Sequence, residues 1–423
     1  MIIWVIIGFI VFLLMGIPIA FILGLAPSIA IIGKGIPVTV IAQKMFTSTD
    51  SFVLMAVPLF ILAGNLMAEG GITRRLINFS KVVVGFISGG LALVTVLTSM
   101  GVAAITGSAV ATAAAVGSIM IPAMVKNGYK KDFASAVVAA SCIMGPIIPP
   151  SIPFILYGVL ANVSIASLFL GGIIPGILLG VSMFIIIIIF ARIHNFPREK
   201  FPSFIEFLKS FIKAVPPLGM PVLVLGGILT GIFTPTEAAV IAVAYSFILG
   251  LIYRELKLST LTKIFSGSAS TSSVVMLIIA TSSILGWFLA AEQIPQQVTN
   301  FFLSITNNPY LILLMINGLL LFVGTFMETT ASIVILTPVL LPLVTSLGIS
   351  PLHFGVVMAV NLVIGMVTPP LGVALYVSCA MGKVTLEEIT KRVWPFILSS
   401  IVVLMLITYI PWLVTFIPTI LSK

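Results

Sequence analysis

Charged side chains are scarce in this sequence. Asp, Glu, Lys and Arg make up 7% of the 423 residues, whereas 60% are hydrophobic and the mean hydropathy is +1.31. Soluble domains carry roughly 25% charged residues, so the composition excludes a water-soluble globular protein. Because a membrane crossing takes about 20 apolar residues, a chain of this length has room for about ten crossings with short loops.

The sequence also lacks the alternation of apolar and polar residues that marks a transmembrane β-strand. Residues 181–191, VSMFIIIIIFA, are apolar on every side. No polar stretch is long enough to form a separate soluble domain. The predicted fold class is therefore an all-α polytopic membrane protein.

Groups that would mark an enzyme are few. Cys142 and Cys379 lie in apolar stretches without metal-binding spacing, which predicts buried side chains. His353 lies at a predicted helix start, where we expect an interfacial residue rather than half of a serine–histidine pair. There is no phosphate-binding P-loop. We therefore expect no catalytic residue, no cofactor and no ATP-driven step within this chain.

The few charges are uneven in sign, with 20 Lys and Arg against 11 Asp and Glu. In a membrane protein, basic residues concentrate in cytoplasmic loops, so the excess of positive charge does not indicate a nucleic-acid partner. The N-terminal segment lacks the basic start and the cleavage site of a signal peptide, which predicts a retained helix. The pattern leaves open whether 2–33 is one helix or two, broken near 16–18.

An internal repeat is the most informative feature. A shift of 220 residues without a gap superimposes helix-breaking residues of two long apolar regions, about 100–160 and 320–380. The matched residues are Pro122 with Pro342, Gly128 with Gly348, Gly145 with Gly365, and Pro149 and Pro150 with Pro369 and Pro370. Five matches in one ungapped window predict two repeats, which we place at 1–210 and 211–423.

The loops of the two repeats differ in charge. The first repeat has Lys126, Lys130 and Lys131, whereas no Lys or Arg occurs between Lys263 and Lys383. Because positive charge marks the cytoplasmic side, equivalent loops are expected on opposite sides of the membrane. Inverted repeats with helix breaks at matching places are typical of secondary transporters with a midplane binding site.

Each repeat contains a predicted re-entrant hairpin, at about 95–125 and about 309–345. The first includes a small-residue run, AAITGSAVATAAAVG, with a polar tip at 106–108; a close-packed helix interface is the alternative for this run. The second includes GTFMETTAS at 324–332, in which Glu328 is the only charged residue of a long apolar stretch. An intramembrane carboxylate marks an ion or substrate path, and a structural hydrogen bond is the alternative.

A helix interrupted by prolines follows each hairpin, at about 133–160 and about 353–382. Proline blocks continuation of a helix and leaves backbone carbonyl groups free. Such carbonyls, with Ser and Thr hydroxyls, suit an alkali cation, while helix N-termini favour an anionic group. A simple proline kink is the alternative for either break alone.

A polar insertion separates the two repeats. Aromatic and aliphatic residues recur at helical spacing within about 198–215, which predicts an amphipathic helix on the membrane surface; a solvated connector is the alternative. Glu237 lies beside Thr234 and Thr236, where a helix-start role is as well supported as a functional role.

Five motifs together resemble the large membrane subunit of tripartite ATP-independent periplasmic (TRAP) transporters. They are ITGSAVATAAAVGSIMIPAM at 105–124, GPIIPPSIPFILYG at 145–158, GIFTPTEAAV at 231–240, GTFMETTASIVILTPVLLP at 324–342 and GMVTPPLGVALYV at 365–377. The similarity extends over essentially the whole chain, and the motifs occur in the order of that family.

The resemblance implies an elevator-type transporter with a scaffold and a mobile transport domain in the bacterial inner membrane. It implies import of an organic acid anion, such as a C4-dicarboxylate, sialic acid or another sugar acid, by sodium symport. The implied partners are a small four-helix membrane subunit and a periplasmic substrate-binding protein, and we expect the unfused large subunit. The alternative is a proton-coupled or exchange-type carrier in which Glu328 titrates.

The resemblance also assigns candidate site residues by position. The sodium-site candidates are Thr106, Gly107, Ser108, Gly145, Pro149, Gly324, Thr325, Glu328, Thr329, Gly365, Met366 and Thr368. The substrate candidates, between the hairpin tips, are Ser108, Thr112, Ser151, Thr329 and Pro369. No Lys or Arg lies in these segments, so helix ends and bound sodium would supply the positive field.

Overall fold

The computed structural model describes residues 2–194 and 196–421, and the regular structure within these ranges is helical. The helices of the first half are α1 (Ile2–Leu14), α2 (Ile19–Gly33), α3 (Thr39–Thr49), α4 (Ala56–Glu69), α5 (Ile72–Val84), α6 (Gly90–Thr106), α7 (Ala109–Lys126), α8 (Lys131–Cys142), α9 (Ile152–Ala161) and α10 (Ile165–His194). The helices of the second half are α11 (Phe204–Leu229), α12 (Pro235–Ile252), α13 (Leu258–Ala291), α14 (Ile294–Ile305), α15 (Pro309–Phe326), α16 (Thr329–Ser346), α17 (Pro351–Gly365), α18 (Val373–Gly382), α19 (Leu386–Tyr409) and α20 (Trp412–Leu421).

The helices have the length and composition of membrane spans. Within the described residues, nine helical segments are long and apolar enough to cross a membrane. Shorter apolar helices include α6, α9, α17 and α18, which belong to the hairpins and interrupted helices. The prediction of an all-α polytopic membrane protein is confirmed.

Helix boundaries in the two halves follow the 220-residue shift. The shift superimposes α7 on α16 over their full lengths, and it brings α8 and α17 to the same starting position. Each interruption contains a cis peptide bond, Pro149–Pro150 in the first half and Pro369–Pro370 in the second. The helix breakers of the sequence therefore mark equivalent structural elements.

The two halves interlock reciprocally. Helix α4 packs against α12, and the matching helix α13 packs against α2. In the same way α7 packs against α18, and α16 packs against α9. Each half therefore completes the other, as expected for two repeats related by a twofold axis.

Residues 2–33 form two helices rather than one. Helix α1 ends at Leu14, and α2 begins after Pro18. Gly16 adopts the left-handed backbone conformation, with φ of 76°, which glycine reaches without a steric penalty. The question that the sequence pattern left open is thus answered by a break at 15–18.

The amphipathic segment predicted at about 198–215 is helical from Phe204 onward, and its position on the membrane surface stays a prediction. Residues 204–215 form the first half of α11, which continues through Pro216, Pro217 and Pro221 to Leu229. A capping box begins this helix, since Ser203 and Glu206 exchange side chain-to-backbone hydrogen bonds. The amphipathic stretch and the following apolar span are therefore one continuous element.

The structure shows the role of Glu237 at the start of α12. Glu237 accepts a hydrogen bond from the backbone N–H of Thr234 at 2.7 Å, which completes a capping box at the start of α12. Its helix-start role is confirmed.

His353 is only 3% exposed, and its Nε2 donates to the carbonyl oxygen of Ile407 at 2.8 Å. The side chain is therefore enclosed between α17 and α19, and its expected position at the membrane interface stays a prediction. Both cysteines are free and buried, as expected.

The inverted relation of the repeats can be tested at Lys130 and Ser350. These exposed residues precede α8 and α17 and are superimposed by the 220-residue shift. With Cys142 and Cys379 replaced by alanine, we expect Lys130→Cys and Ser350→Cys to react with a membrane-impermeant maleimide from opposite sides of the membrane. Labelling of both from one side would contradict the inverted topology.

Candidate functional site

The first hairpin turns sharply between α6 and α7. Gly107 ends α6 with φ of 60°, and Ser108 begins α7 by accepting a hydrogen bond from the Ala111 N–H at 3.4 Å. A Cβ atom on Gly107 would lie 2.8 Å from the carbonyl oxygen of Pro150. The tip therefore fits against the first interrupted helix only without a side chain at position 107.

Hydroxyl groups organise this first tip. The Thr112 Oγ1 donates to the Ser108 carbonyl oxygen at 2.8 Å and lies 2.9 Å from the Thr106 Oγ1. Thr106 and Thr112 are buried, whereas Ser108 is half-buried. The tip is thus a fixed cluster of oxygen atoms rather than an open loop.

The interruption between α8 and α9 is enclosed against the tip. The Ser151 hydroxyl donates to the Pro146 carbonyl and accepts from the Phe154 N–H at 3.3 Å, which caps α9. A Cβ atom on Gly145 would lie 2.6 Å from the Ser108 carbonyl oxygen. The break and the hairpin tip are therefore in direct backbone contact.

The second tip uses a carboxylate where the first uses a hydroxyl. Glu328 begins α16, and its Oε2 accepts from the N–H groups of Thr330 and Ala331 at 2.7 and 3.3 Å. The Thr330 hydroxyl donates to Oε1 at 3.0 Å. Ser108 and Glu328 are superimposed by the 220-residue shift, so the two N-caps are structural equivalents.

The second interruption also contacts its hairpin through backbone. A Cβ atom on Gly365 would lie 2.6 Å from the Cα and carbonyl carbon of Gly324. The Thr329 Oγ1 lies 2.9 Å from the Met366 Sδ. Glycine at positions 324 and 365 permits a closer approach than any side chain would allow.

A cavity of about 550 Å³ lies between the two tips. The first turns of α7, α9 and α16 line it, together with residues of α4 and α13 on the opposite wall. Glu328 is its only ionisable lining residue among the described residues, and no lysine or arginine reaches it. The opposite wall is held together by the Asn65 amide, which donates to the Ser268 Oγ at 2.8 Å.

The predicted site residues fall into three groups. Those that line the cavity are Thr106, Gly107, Ser108, Glu328 and Met366. Those that belong to the hairpins or interruptions but do not line the cavity are Gly145, Thr112, Ser151, Gly324, Thr329 and Gly365. The remaining residues are Pro149, Thr325, Thr368 and Pro369.

The residues of the last group do not line the cavity between the hairpin tips. Pro149 lines a different, apolar cavity of about 360 Å³ between α5, α6, α10 and α11. Thr325 donates to the Phe322 carbonyl oxygen of its own helix at 2.7 Å, and Thr368, in the second interruption, donates to the Ile364 carbonyl oxygen near the end of α17 at 2.8 Å. Pro369 is half-buried in the second interruption. Ligand roles for all of these residues stay predictions.

Several lining residues were missed from sequence. Asn65 on α4, Ser270 and Thr271 on α13, and Thr330 on α16 place polar groups on the cavity wall. The available signals were an amide within an apolar stretch and the run SGSASTSS at 266–273. Which face such a helix presents depends on packing, so the sequence alone did not select these residues.

The arrangement suits an anion together with a cation. Helix N-termini carry partial positive charge and free N–H groups, which bind anions. The Glu328 carboxylate has the opposite sign and, with nearby hydroxyl and carbonyl oxygens, is a ligand set for a hard cation. The interrupted helices, the enclosed tips and the cavity between them are features of a polytopic membrane transporter.

Comparison with known proteins identifies the family. Residues 6–413 match the model of the tripartite ATP-independent periplasmic transporter, DctM component. The chain belongs to this family and is a large permease subunit of a TRAP transporter, located in the bacterial inner membrane. It is a transporter subunit and not an enzyme.

Two relatives illustrate the similarity. The chain is 44% identical over 406 residues, 95% of its length, to the isethionate TRAP transporter permease protein DctMQ of Oleidesulfovibrio alaskensis, and covers 64% of that relative's length. It is 38% identical to the sialic acid TRAP transporter large permease protein SiaM of Vibrio cholerae, with 97% of each chain covered.

A solved structure shares the fold at low sequence identity. The YdaH transporter of Alcanivorax borkumensis is 14% identical to this chain and aligns with a TM-score of 0.63. The match covers 88% of this chain and 87% of that one. At this identity the likeness supports the fold alone.

The contact between Gly324 and Gly365 yields a stability prediction. Gly324→Ala places a Cβ atom 2.7 Å from the Leu362 carbonyl oxygen, so we expect destabilisation by about 1–3 kcal/mol. The melting temperature of the purified protein in detergent measures this effect.

Gly318 provides the matched control on the same helix. Apart from the nearby backbone of its own helix, no atom of the described residues lies within 4 Å of a Cβ built on Gly318. Alanine favours a helix over glycine by about 1 kcal/mol. Gly318→Ala should leave the melting temperature unchanged or raise it. Equal melting temperatures for Gly324→Ala and the unmodified protein would contradict the close backbone contact.

Proposed function

We propose that this subunit imports an organic acid anion by sodium symport, with an elevator movement of the hairpins and interrupted helices. The observation that carries the proposal is the cavity between the two hairpin tips. Among the described residues, its lining combines helix N-termini with one carboxylate and no basic side chain. The substrate class is a small carboxylate or sulfonate, such as a C4-dicarboxylate, sialic acid or another sugar acid.

The first turns of three helices support an anionic substrate. Residues 109–111 of α7, residues 152 and 153 of α9, and Thr330 of α16 all line the cavity. Backbone N–H groups at a helix start favour a carboxylate or sulfonate without a cationic side chain. A site of this kind suits a transporter, because it binds the anion without a strong ion pair that would slow its release.

The Glu328 carboxylate supports a coupling cation. An anionic substrate and a carboxylate in one cavity repel each other unless a cation lies between them or nearby. The tips offer hard oxygen atoms, including the hydroxyls of Thr106 and Ser108 and the Glu328 Oε1. Oxygen ligands of this type suit sodium, and its binding would lower the cost of bringing in the anion.

The walls of the cavity support an elevator movement. One wall belongs to the hairpin tips and helix interruptions, and the other belongs to α4 and α13. Asn65 and Ser268 join α4 to α13, which makes that wall a single unit. We propose that α4 and α13 are part of the scaffold and that the opposite wall carries the substrate across the membrane.

Partners follow from the family. We propose that a small membrane subunit supports this chain and that a periplasmic binding protein delivers the substrate. The relative DctMQ exceeds the length of this chain, which covers 64% of it.

A proton-coupled or exchange-type carrier is the second candidate. Glu328 is ionisable and exposed to the cavity, so proton transfer at this carboxylate would provide an alternative to sodium. The two mechanisms differ in which gradient drives accumulation of the substrate.

Uptake by proteoliposomes containing this chain, the small subunit and the binding protein distinguishes them. We expect accumulation only with an inward sodium gradient. Glu328→Gln retains a carbonyl oxygen for the cap but removes the charge, so the sodium concentration for half-maximal uptake should rise at least about tenfold. Accumulation driven by a proton gradient without sodium would contradict sodium symport.

Glu237→Gln is the matched control. Glu237 also caps a helix start, that of α12, but it is exposed and does not line the cavity. The change should leave the sodium dependence of uptake within about twofold, since loss of a surface capping charge costs at most about 1 kcal/mol. An equal effect of both substitutions would indicate that helix capping, rather than cation binding, explains the result.

A further inference from the structure

Two further cavities lie outside the proposed substrate site, and residues of the packed helices α5 and α11 line both of them. The first, of about 700 Å³, is rich in cations and is called here the basic cavity. Its basic residues are Arg75, Lys81, Arg198, Lys200, Lys209 and Lys213. Two carboxylates, Glu199 and Glu206, also line it.

Both carboxylates of the basic cavity have other partners. Glu206 accepts from the Ser203 N–H at 2.9 Å in the capping box of α11. Glu199 lies 3.7 Å from the Lys81 Nζ, and its backbone N–H donates to the Gly85 carbonyl oxygen at 3.0 Å. These contacts attach the 196–203 segment to the end of α5.

Among the described residues, five of the six cations have no carboxylate within ion-pair distance, and one of these, Arg75, lies over the Tyr253 ring at 3.5 Å from its centroid. The other four are Arg198, Lys200, Lys209 and Lys213. All four side chains are exposed. Unpaired cations around one concave surface attract a phosphate or another polyvalent anion.

The second cavity, called here the apolar cavity, is the one that contains Pro149. It is lined almost wholly by apolar groups of α5, α6, α10 and α11, including Phe79, Met100 and Ile177. Phe79 is the chain neighbour of Asn78, which lines the basic cavity. Helices α5 and α11 both contribute residues to each cavity, so the two cavities neighbour each other along this helix pair. An amphiphile with a charged head and an apolar tail would match the two linings.

Exposed apolar side chains lie on the same segments as the cations of the basic cavity. Phe201 and Phe204 are each 78% exposed, and Ile212 is 60% exposed, directly beside the lysines of α11. The rings of Phe207 and Phe211 pack against Phe79 at centroid distances of 6.4 and 5.9 Å. Aromatic and basic residues on one element are typical of the membrane interface, where lipid head groups lie.

We propose that the basic and apolar cavities together bind one anionic phospholipid, with the phosphate among the cations and an acyl chain beside Phe79 and Ile177. Basic pockets between membrane helices on the cytoplasmic side bind anionic head groups. The apolar cavity also includes Ile148 and Pro149 of the first interruption. The lipid would thus contact both α11 and an element that we propose to move.

Native mass spectrometry of the full chain tests this proposal, with phosphatidylglycerol and phosphatidylcholine of identical acyl chains. We expect one phosphatidylglycerol to remain bound under delipidation, and phosphatidylcholine to be lost. The pairs Arg198→Gln with Lys200→Gln, and Lys209→Gln with Lys213→Gln, should each lower phosphatidylglycerol occupancy on the order of tenfold. Equal retention of both lipids would overturn the proposal.

Lys257→Gln with Lys263→Gln is the charge-matched control, since both lysines are exposed and neither lines the basic cavity. This pair should leave phosphatidylglycerol occupancy unchanged. An equal loss in this control would show a general charge effect and would overturn the proposal. Two separate test pairs keep the comparison valid if one of them lowers expression.

A second comparison distinguishes lipid from free phosphate. Ile177→Trp adds bulk to the apolar cavity, whereas Ile185→Trp changes an exposed residue of the same helix that does not line it. Only Ile177→Trp should weaken phosphatidylglycerol binding, and inorganic phosphate at millimolar concentration should not displace the lipid. Displacement by phosphate with no effect of Ile177→Trp would identify a free-anion site and contradict the proposal.

The small membrane subunit is the other occupant to exclude. If the basic cavity binds that subunit instead, the two test pairs will reduce its co-purification and leave phosphatidylglycerol occupancy unchanged. That result would overturn the lipid assignment. Reduced lipid occupancy in the chain purified alone supports it.

Discussion

Helices that end inside an apolar protein must satisfy their free backbone groups there, and the binding region of this chain depends on that constraint. The first N–H groups of a helix have no intrahelical acceptor, and lipid provides none. Ser108, Ser151 and Glu328 accept hydrogen bonds from such groups, while the glycine contacts enclose the backbone around them. The polar helix ends that the fold must enclose are therefore also the groups available to a ligand.

Much of this architecture could be predicted from the sequence because helix breakers act locally. Proline and glycine interrupt a helix wherever they lie, so their 220-residue register located both hairpins and both interruptions. The isolated charge of Glu328 similarly marked the second tip. The capping of α12 was also anticipated, since Thr234 and Glu237 have the spacing of a capping box.

The other features of the structure depend on packing between helices that are distant in sequence, and no local sequence pattern predicts such packing. Asn65 and Thr271 reach the cavity only because α4 and α13 face the hairpin tips. The amphipathic stretch and the apolar span after it form one helix, because α11 continues through three prolines to Leu229. His353 is enclosed because the Ile407 carbonyl oxygen of a distant helix accepts its hydrogen bond, which compensates the cost of burying the ring. The two cavities beside α5 and α11 likewise arise from helices far apart in sequence.

The central claim is that substrate and cation bind between the two hairpin tips. An experimental structure determined with saturating sodium and substrate tests it most directly. The account predicts substrate density at the first turns of α7, α9 and α16, with a cation coordinated by oxygen atoms near Glu328. Substrate density elsewhere in the membrane region, with the space between Ser108 and Glu328 occupied only by water, would contradict it.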